Sequence, residues 1–226
     1  MDYKEVMEQL EAMGTAQNRK IYARHGAGEN MFGVSFANLH KLQKKIKKNH
    51  ALAVQLWESG NVDAQSLATM IADPEQMDEP TIEKWLQDLD YYMLVDIYVG
   101  SIVSKTPFAR AKMEQWTQSE DEWVGRAGWQ LLAHLAMKDK ELSDEYFQPF
   151  LERIETSIHT GKNRTRDAMN GALIAIGMRN DALEKKALAV SKAIGTVEVD
   201  HGDTSCKTPD AAAYIKKAKN RKKKKK

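Results

Sequence analysis

The sequence predicts an all-α protein, and three observations lead to that fold class. Apolar residues recur at spacings of three and four along nearly the whole chain, and no segment alternates polar and apolar residues in a sustained way. Glycine and proline are few, 13 and 5 among 226 residues, which is typical of helical chains. Helix pairs repeat at about 35 to 40 residues, which favours a HEAT-type α-solenoid, although an ordinary helical bundle fits the same pattern.

Thirteen helices are predicted from this spacing and from the residues that flank it. Thr106–Pro107 and Thr208–Pro209 place an N-cap before a proline at the first helical position. Gly60, Gly161 and Gly195 lie where helices should stop or turn. The predicted ranges are 2–13, 15–25, 36–49, 51–58, 63–73, 79–88, 91–104, 107–117, 120–137, 143–158, 164–178, 181–193 and 209–220.

The net charge of +2 hides an uneven distribution of charge. Residues 216–226 hold nine of the 34 basic residues and no acidic one, so the rest of the chain has 25 basic against 32 acidic residues. A uniformly basic nucleic-acid binder would not have this composition, so any contact with nucleic acid must use local patches and the tail. We expect a single solenoid domain over 1–215 and a basic, disordered tail over 216–226, for which a solvated end without a role is the alternative.

Several classes of protein are excluded by the sequence. The N-terminal segment is charged and amphipathic, unlike a signal peptide, and no apolar run approaches the roughly 18 residues of a membrane span. Cys206 is the single cysteine and cannot form an intramolecular disulfide. His201, Asp203 and Cys206 lie close together, but their spacing does not match a zinc site. We expect a cytoplasmic monomer that contacts no membrane and uses neither metal nor cofactor.

Two basic stretches are candidates for contact with a nucleic-acid backbone. The helix predicted over 36–49 has five lysines within eight residues, and three basic residues lie at a later helix start, where free N–H groups attract anions. Each phosphate contact releases counterions, so the affinity should fall with salt. A solvated helix face is the alternative for both stretches. The predicted contacts are Lys41, Lys44, Lys45, Lys48, Lys162, Arg164 and Arg166, with Lys47 completing the first stretch.

The stretch YYMLVDIYVG (Tyr91–Gly100) has the pattern of a buried helix except for one carboxylate, Asp96. An unpaired charge is costly to bury, so such a group is paired, partly hydrated or used in function. Arg126 raises the same question, because it lies among small and aromatic residues in EWVGRAGW. It either pairs with Asp96 or a glutamate, or points into a cleft, where its planar guanidinium can donate two parallel hydrogen bonds to a phosphate or a carboxylate.

Four motifs, in order FGVSFANLHKL, LWESGNVDAQSLATMIAD, YMLVD and EWVGRAG, resemble the bacterial DNA alkylation repair family of HEAT-like-repeat DNA glycosylases. The resemblance covers roughly residues 30–180, and its specificity comes from the order and spacing of short motifs. It implies a curved α-solenoid whose basic concave face grips duplex DNA. It also implies a monofunctional DNA glycosylase that removes N3- and N7-alkylated purines without flipping the base out of the stack.

The resemblance assigns roles to individual residues as well. Asp96 takes the place of the family's catalytic aspartate, and Tyr92 takes the place of a tryptophan that contacts the lesion or sugar. Arg126 matches an arginine that binds a phosphate beside the lesion. Where the family has a second tryptophan, this sequence has Gly171, with Asn170 beside it. One aromatic residue is thus replaced by tyrosine and the other is lost.

Tyr92 and Asp96 are four residues apart and share one helix face, which is compatible with the chemistry that the resemblance implies. A 7-alkylpurine is already cationic, so its departure needs no strong acid, and positive charge develops on the sugar. A carboxylate about 4 Å away, at an effective dielectric near 20, could stabilise that charge by roughly 4 kcal/mol. This corresponds to a rate factor on the order of 10³.

Three functions remain open from the sequence. The first is a DNA glycosylase for cationic alkylpurines, with Asp96 as its essential group. The second is a non-catalytic HEAT-like protein that binds DNA structure through the two basic stretches, which the loss of the aromatic residue at Gly171 favours. The third is a protein-binding scaffold in which Asp96 and Arg126 form an ion pair in the core.

Overall fold

A computed structural model describes the backbone of residues 1–223 and the side chains as far as Arg221. Within that part of the chain there are thirteen α-helices, three short 3-10 helices and no β-strand, which confirms the all-α prediction. The helices are α1 (Tyr3–Met13), α2 (Ala16–Arg24), α3 (Phe36–Ile46), α4 (His50–Glu58), α5 (Val62–Ile71), α6 (Glu79–Gln87), α7 (Tyr92–Ser101), α8 (Ala109–Trp116), α9 (Glu122–Lys138), α10 (Gln148–Ser157), α11 (Asn163–Gly177), α12 (Asp181–Ile194) and α13 (Ala211–Lys223).

Each predicted helix corresponds to one observed helix, and most ends agree within two residues. The larger differences have local causes. α3 ends at Ile46 because Lys47 adopts a φ of 63°, and the Asn49 side chain then caps α4 by accepting from the backbone N–H of Leu52. α10 begins at Gln148 rather than at 143, because a separate 3-10 helix occupies residues 145–147.

The chain divides into two compact units. Unit 1 comprises residues 1–109 and 201–205, and unit 2 comprises residues 110–200 together with the segment from Cys206 onward. The division into two units does not test the expectation of a single solenoid domain over 1–215, which stays a prediction.

Unit 1 is built around α5, of whose ten residues nine are buried. α1, α3, α4 and α7 pack against this helix. Next to it, the rings of Trp57 and Trp85 stack with their centroids 4.1 Å apart and their planes 3° apart, and both side chains are buried. The Trp57 indole N–H donates to Asp88 at 2.9 Å, so its polar atom is satisfied.

A turn at Phe32–Val34 leads into α3 and is held by Asp63 of α5. The Asp63 carboxylate accepts hydrogen bonds from the backbone N–H groups of Phe32, Gly33 and Val34 at 2.7, 2.9 and 2.8 Å. Gly33 has a φ of 80°, and a Cβ there would lie 2.7 Å from the Thr15 carbonyl oxygen, so the turn requires glycine. This turn fixes the position at which the lysine-rich helix α3 begins.

Unit 2 is built around α9 and α11, which pack along their length. Two glycines of α9 allow the close approach of neighbouring segments. A Cβ on Gly125 would lie 3.0 Å from the Thr165 hydroxyl on α11, and one on Gly128 would overlap the backbone at Trp116–Thr117. α12 packs against α10 and α11, and α13 packs against α11 and α12.

The tail predicted to be disordered over 216–226 begins within α13 in the structure. Residues 216–223 are helical, and 224–226 lie outside the described residues. The helix is anchored because Ile215 is completely buried, close to Gly177 of α11 and Ala187 of α12. Burial of this side chain favours the helical conformation of the residues that follow it.

Candidate functional site

Asp96 lies on a partly exposed face of α7 and not in the core. The residues of α7 that are buried are Leu94, Val95, Tyr98 and Val99, and those that are half-buried are Tyr92, Met93, Asp96, Ile97, Gly100 and Ser101. The half-buried set recurs at spacings of one and four, as one face of a helix does. Tyr92 and Asp96 therefore share a helix face that is partly exposed to solvent.

Tyr92 is held in place by His25, a residue that the sequence analysis did not identify. The Tyr92 hydroxyl and the His25 Nδ1 are 2.8 Å apart, and the two ring centroids are 6.2 Å apart. The Tyr91 ring meets the Tyr92 ring edge-on at 5.6 Å. His25 follows α2 and is 67 residues from Tyr92, so no local spacing could have indicated the contact.

Tyr91 is the buried neighbour of this face. Burial raises the pKa of Tyr91, and nearby Tyr92, Tyr22 and Asp63 raise it further, so the phenol is neutral at physiological pH. Burial and the carboxylate of Asp63 raise the pKa of Tyr22 in the same way. Tyr91 and Tyr22 thus carry neutral hydroxyl groups next to this helix face.

Arg126 is 2% exposed and belongs to the packing between α9 and α11. Its Nη1 donates to Asp167 Oδ2 at 2.9 Å and to the Arg164 carbonyl at 3.1 Å. An ion pair with an acid was one of the alternatives that the sequence left open, but the acid seen here, Asp167, was not considered. This burial favours a structural role for Arg126. The contact with a phosphate that the family resemblance implies stays a prediction.

The lysines of the first basic stretch all lie on the exposed surface of α3 or just after it. Lys41 donates to Asn38 within the same helix at 3.1 Å, and Lys48 forms a 3.0 Å ion pair with Asp73. The hydrogen bond from Lys48 lowers the pKa of Asp73, so that carboxylate is charged and offsets the lysine. Lys44 and Lys45 are exposed in the last turn of α3. They are the stronger candidates for contact with phosphates.

The second basic stretch is largely engaged within unit 2. The guanidinium of Arg166 donates to the carbonyls of Glu198 and Gly161. The backbone N–H of Arg164 donates to the Glu122 carboxylate at 2.6 Å, so an acid already occupies part of the α11 N-terminus. Lys162 is exposed at the N-cap position without a side-chain cap. Of the three predicted residues, Lys162 offers its charge most openly.

Clefts in the two units differ in the charge of their lining. A cleft of about 450 Å³ in unit 2 has two cations, Arg153 and Lys162, against one carboxylate, Glu120, with serine and threonine hydroxyls between them. Arg153 was not predicted, since no local pattern marks it. A cleft of about 500 Å³ in unit 1 is lined by four carboxylates and one lysine, namely Glu29, Glu58, Asp88, Asp90 and Lys84. A phosphate is therefore favoured in the first cleft and repelled from the second.

Gly171 lies in the interior of α11 beside open space, because no atom beyond its chain neighbours and the helix backbone lies within 4 Å of the position that a Cβ would take. The neighbouring Asn170 is 1% exposed, and its amide donates to the Pro209 carbonyl at 2.9 Å, which ties α11 to the segment before α13. Asn170 therefore has a structural role, and the missing aromatic side chain at Gly171 is not replaced by its neighbour.

Neither a metal cluster nor a membrane-spanning helix is found within residues 1–223. No group of three or more histidine, cysteine, aspartate or glutamate side chains there could hold a metal ion. No helix in this range is long and apolar enough to cross a membrane. Near His201, the Thr204 hydroxyl donates to the His201 carbonyl at 2.9 Å, as in a locally capped loop.

Consecutive helices joined by short connections, with no strand in residues 1–223, are the features of a HEAT-like-repeat protein. The chain belongs to the DNA alkylation repair enzyme family, whose model matches residues 6–215. It is 34% identical over 218 residues to the uncharacterized protein Lin0241 of Listeria innocua serovar 6a, covering 94% of this chain and 95% of that protein. It is 33% identical, with the same coverage, to the uncharacterized protein Lmo0209 of Listeria monocytogenes serovar 1/2a.

A solved structure is also similar to this chain. Its TM-score is 0.90 at 34% sequence identity, and the match covers 98% of this chain and 95% of the other. That protein is described as one of a new family related to the HEAT-like repeat DNA glycosylases with affinity for branched DNA structures. The family resemblance and the HEAT-like fold class expected from the sequence are therefore confirmed.

Proposed function

We propose that the protein binds DNA and prefers branched DNA to linear duplex. The observation that carries this proposal is the likeness, over 98% of the chain at a TM-score of 0.90, to a protein with affinity for branched DNA structures. Two features of the site support binding over excision. Position 171 has glycine where an aromatic residue was expected, and the guanidinium of Arg126 is buried beside Asp167. The cytoplasmic location and monomeric state stay predictions.

The proposal is tested by titrating a labelled four-way junction and a linear duplex of the same sequence with the full chain at several salt concentrations. We expect tighter binding to the junction, and an affinity that falls steeply with salt because lysines displace counterions from phosphates. Equal affinity for the two DNAs would contradict the preference, and no binding at low salt would contradict the function.

The lysine patch of α3 is tested with the double substitution Lys44→Ala and Lys45→Ala. Both side chains are exposed, so folding should be unaffected. The loss of two phosphate contacts should weaken binding to both DNAs and reduce the slope of log K against log salt concentration by about two. Lys4→Ala is the matched control, because Lys4 is an exposed lysine outside the predicted patches. A loss of binding free energy about half as large in this control, which removes one charge and not two, would show a general charge effect and not a patch.

Excision of cationic alkylpurines is the second candidate function, and the shared face of Tyr92 and Asp96 favours it. Asp96 keeps access to solvent there, and Tyr92 is oriented by His25. In this function the Asp96 carboxylate stabilises the positive charge that develops on the sugar, and Tyr92 packs against the deoxyribose or the base edge. The phosphate contact predicted for Arg126 would need its guanidinium to leave Asp167.

Excision is tested by release of 7-methylguanine from methylated duplex DNA. If the chain is a glycosylase, Asp96→Asn should abolish release while leaving DNA binding and the unfolding midpoint nearly unchanged. Asp90→Asn serves as the control, since it removes an exposed carboxylate that lies outside the α7 face. Release by neither wild type nor variant, with junction binding retained, would leave only the binding function.

Gly171→Trp restores the missing aromatic residue. Because no atom beyond the chain neighbours and the helix backbone lies within 4 Å of the added Cβ, we expect the helix to accept it and the free energy of unfolding to rise by about 0.5 kcal/mol through helix propensity. If excision occurs at all, release of 7-methylguanine should increase in this variant. Urea unfolding checks the first expectation, and a loss of more than about 1 kcal/mol would show that the site is not open.

A further inference from the structure

α13 has an inner face that anchors it to unit 2. Ile215 is completely buried and Ala211 is 5% exposed. One turn after Ile215, the Lys219 ammonium lies 2.7 Å from the carboxylates of both Asp181 and Glu184. The lysine side chain is only 14% exposed, so its charge is used to attach α13 to α12. These contacts fix which side of α13 faces solvent.

The opposite flank of α13 combines an exposed ring with exposed cations. Tyr214 is 50% exposed, and Lys217 and Arg221 are also exposed. The three residues are spaced three and four apart, so they lie along one flank of the helix. The sequence of α13 contains six basic residues and no acidic one, whereas the chain outside 216–226 has an excess of acidic residues. Positive charge is therefore concentrated on this helix.

We propose that this flank of α13 is a second nucleic-acid contact, in which the Tyr214 ring stacks on an unpaired base and Lys217 and Arg221 bind the flanking phosphates. An exposed ring among cations is the combination that binds single strands, because every base has an aromatic face and every nucleotide has a phosphate. Along the helix axis, Lys217 is about 4.5 Å and Arg221 about 10.5 Å from Tyr214. Two phosphates on one side of the stacked base are within reach of these long side chains.

This inference rests on the proposed function and adds a physical reason why branched DNA would be preferred to a linear duplex. A linear duplex keeps its bases paired and stacked, so it offers phosphates to Lys217 and Arg221 but no open base to Tyr214. A branch point or fork exposes bases, and there the ring gains a partner. The cations should therefore contribute to binding of all DNA, and the tyrosine should contribute to the preference for branched DNA.

The experiment measures binding of the full chain to a forked DNA with unpaired arms and to a linear duplex. Tyr214→Ala should weaken binding to the fork by about tenfold and to the duplex by less than twofold, given the usual strength of base stacking. Tyr214→Phe should restore fork binding. The double substitution Lys217→Ala and Arg221→Ala should weaken binding to both DNAs and lower the salt slope by about two. A 2-aminopurine at the fork should lose fluorescence with wild type and not with Tyr214→Ala.

Two controls separate stacking from other effects. Lys216→Ala removes an exposed lysine on the other flank of α13 and should leave the fork preference unchanged. The midpoint of thermal unfolding should fall by no more than about 4 °C in Tyr214→Ala, because half of the side chain is exposed. If wild type prefers branched DNA and Tyr214→Ala keeps the whole preference, this inference is wrong and the proposed function stands. If wild type binds neither fork nor junction, both are wrong.

Discussion

Asp63→Asn is expected to lower the free energy of unfolding by about 2 to 4 kcal/mol, because it leaves a buried N–H group without an acceptor. Asp63 is 2% exposed, and its two oxygens accept three backbone hydrogen bonds from the Phe32–Val34 turn. Burial raises the pKa of Asp63, while the three N–H groups act in the opposite direction. An asparagine side chain has one oxygen, so its NH₂ group would face a donor that it cannot satisfy.

Urea unfolding measures this effect, and hydrogen exchange at residues 32–34 locates it. We expect those amides to exchange faster in Asp63→Asn, since the turn before α3 is released. Asp90→Asn is again the matched control, because Asp90 is exposed and its substitution should change stability by less than about 0.5 kcal/mol. A change below about 1 kcal/mol in Asp63→Asn would mean that the turn does not depend on the carboxylate.

Arg126→Ala is expected to lower the free energy of unfolding by about 3 kcal/mol, the lower end of the range for breaking a buried ion pair. Its guanidinium is 2% exposed and donates to both Asp167 and the Arg164 carbonyl. The Asp167 side chain is 22% exposed, so water can partly replace the lost donor, and this keeps the cost below the upper end. The packing between α9 and α11 should loosen as well, since the side chain fills space between them.

The same variant distinguishes a structural Arg126 from one that binds a phosphate. A structural residue should show its effect in urea unfolding, with DNA affinity unchanged where the variant is still folded. Arg153→Ala is the control for the stability measurement alone, because Arg153 is half-buried and should affect stability by less than about 1 kcal/mol, but it lines the cleft that favours a phosphate. Wild-type stability with a clear loss of DNA affinity in Arg126→Ala would instead support the phosphate contact that the family resemblance implies.

The helices were predictable from the sequence because the forces that form them act between near neighbours. Spacings of three and four place apolar residues on one helix face, and cap residues satisfy backbone groups only three positions away. Asp2 and Glu5 form a capping box at the start of α1, and Asn61 caps α5. Errors larger than two residues occurred where α3, α7 and α13 end and where α10 begins. The positive φ of Lys47 ends α3, a separate 3-10 helix precedes α10, and the buried Ile215 anchors α13.

The motifs also identified the family, since their order and spacing were enough to indicate the DNA alkylation repair enzymes. Placing Tyr92 and Asp96 on one face needed only the helical repeat. The sequence by itself therefore determined the fold class, the helices, the family and the shared face of α7.

The partners of the individual side chains were decided by the tertiary structure. His25 reaches Tyr92 across 67 positions, and Arg126 pairs with Asp167 across 41. A charged or polar group takes whichever partner the packed helices bring within about 3 Å, and that choice leaves no periodic trace in the sequence. For the same reason the half-buried position of Asp96 and the exposed ring of Tyr214 became known only when the helices that cover their neighbours were in place.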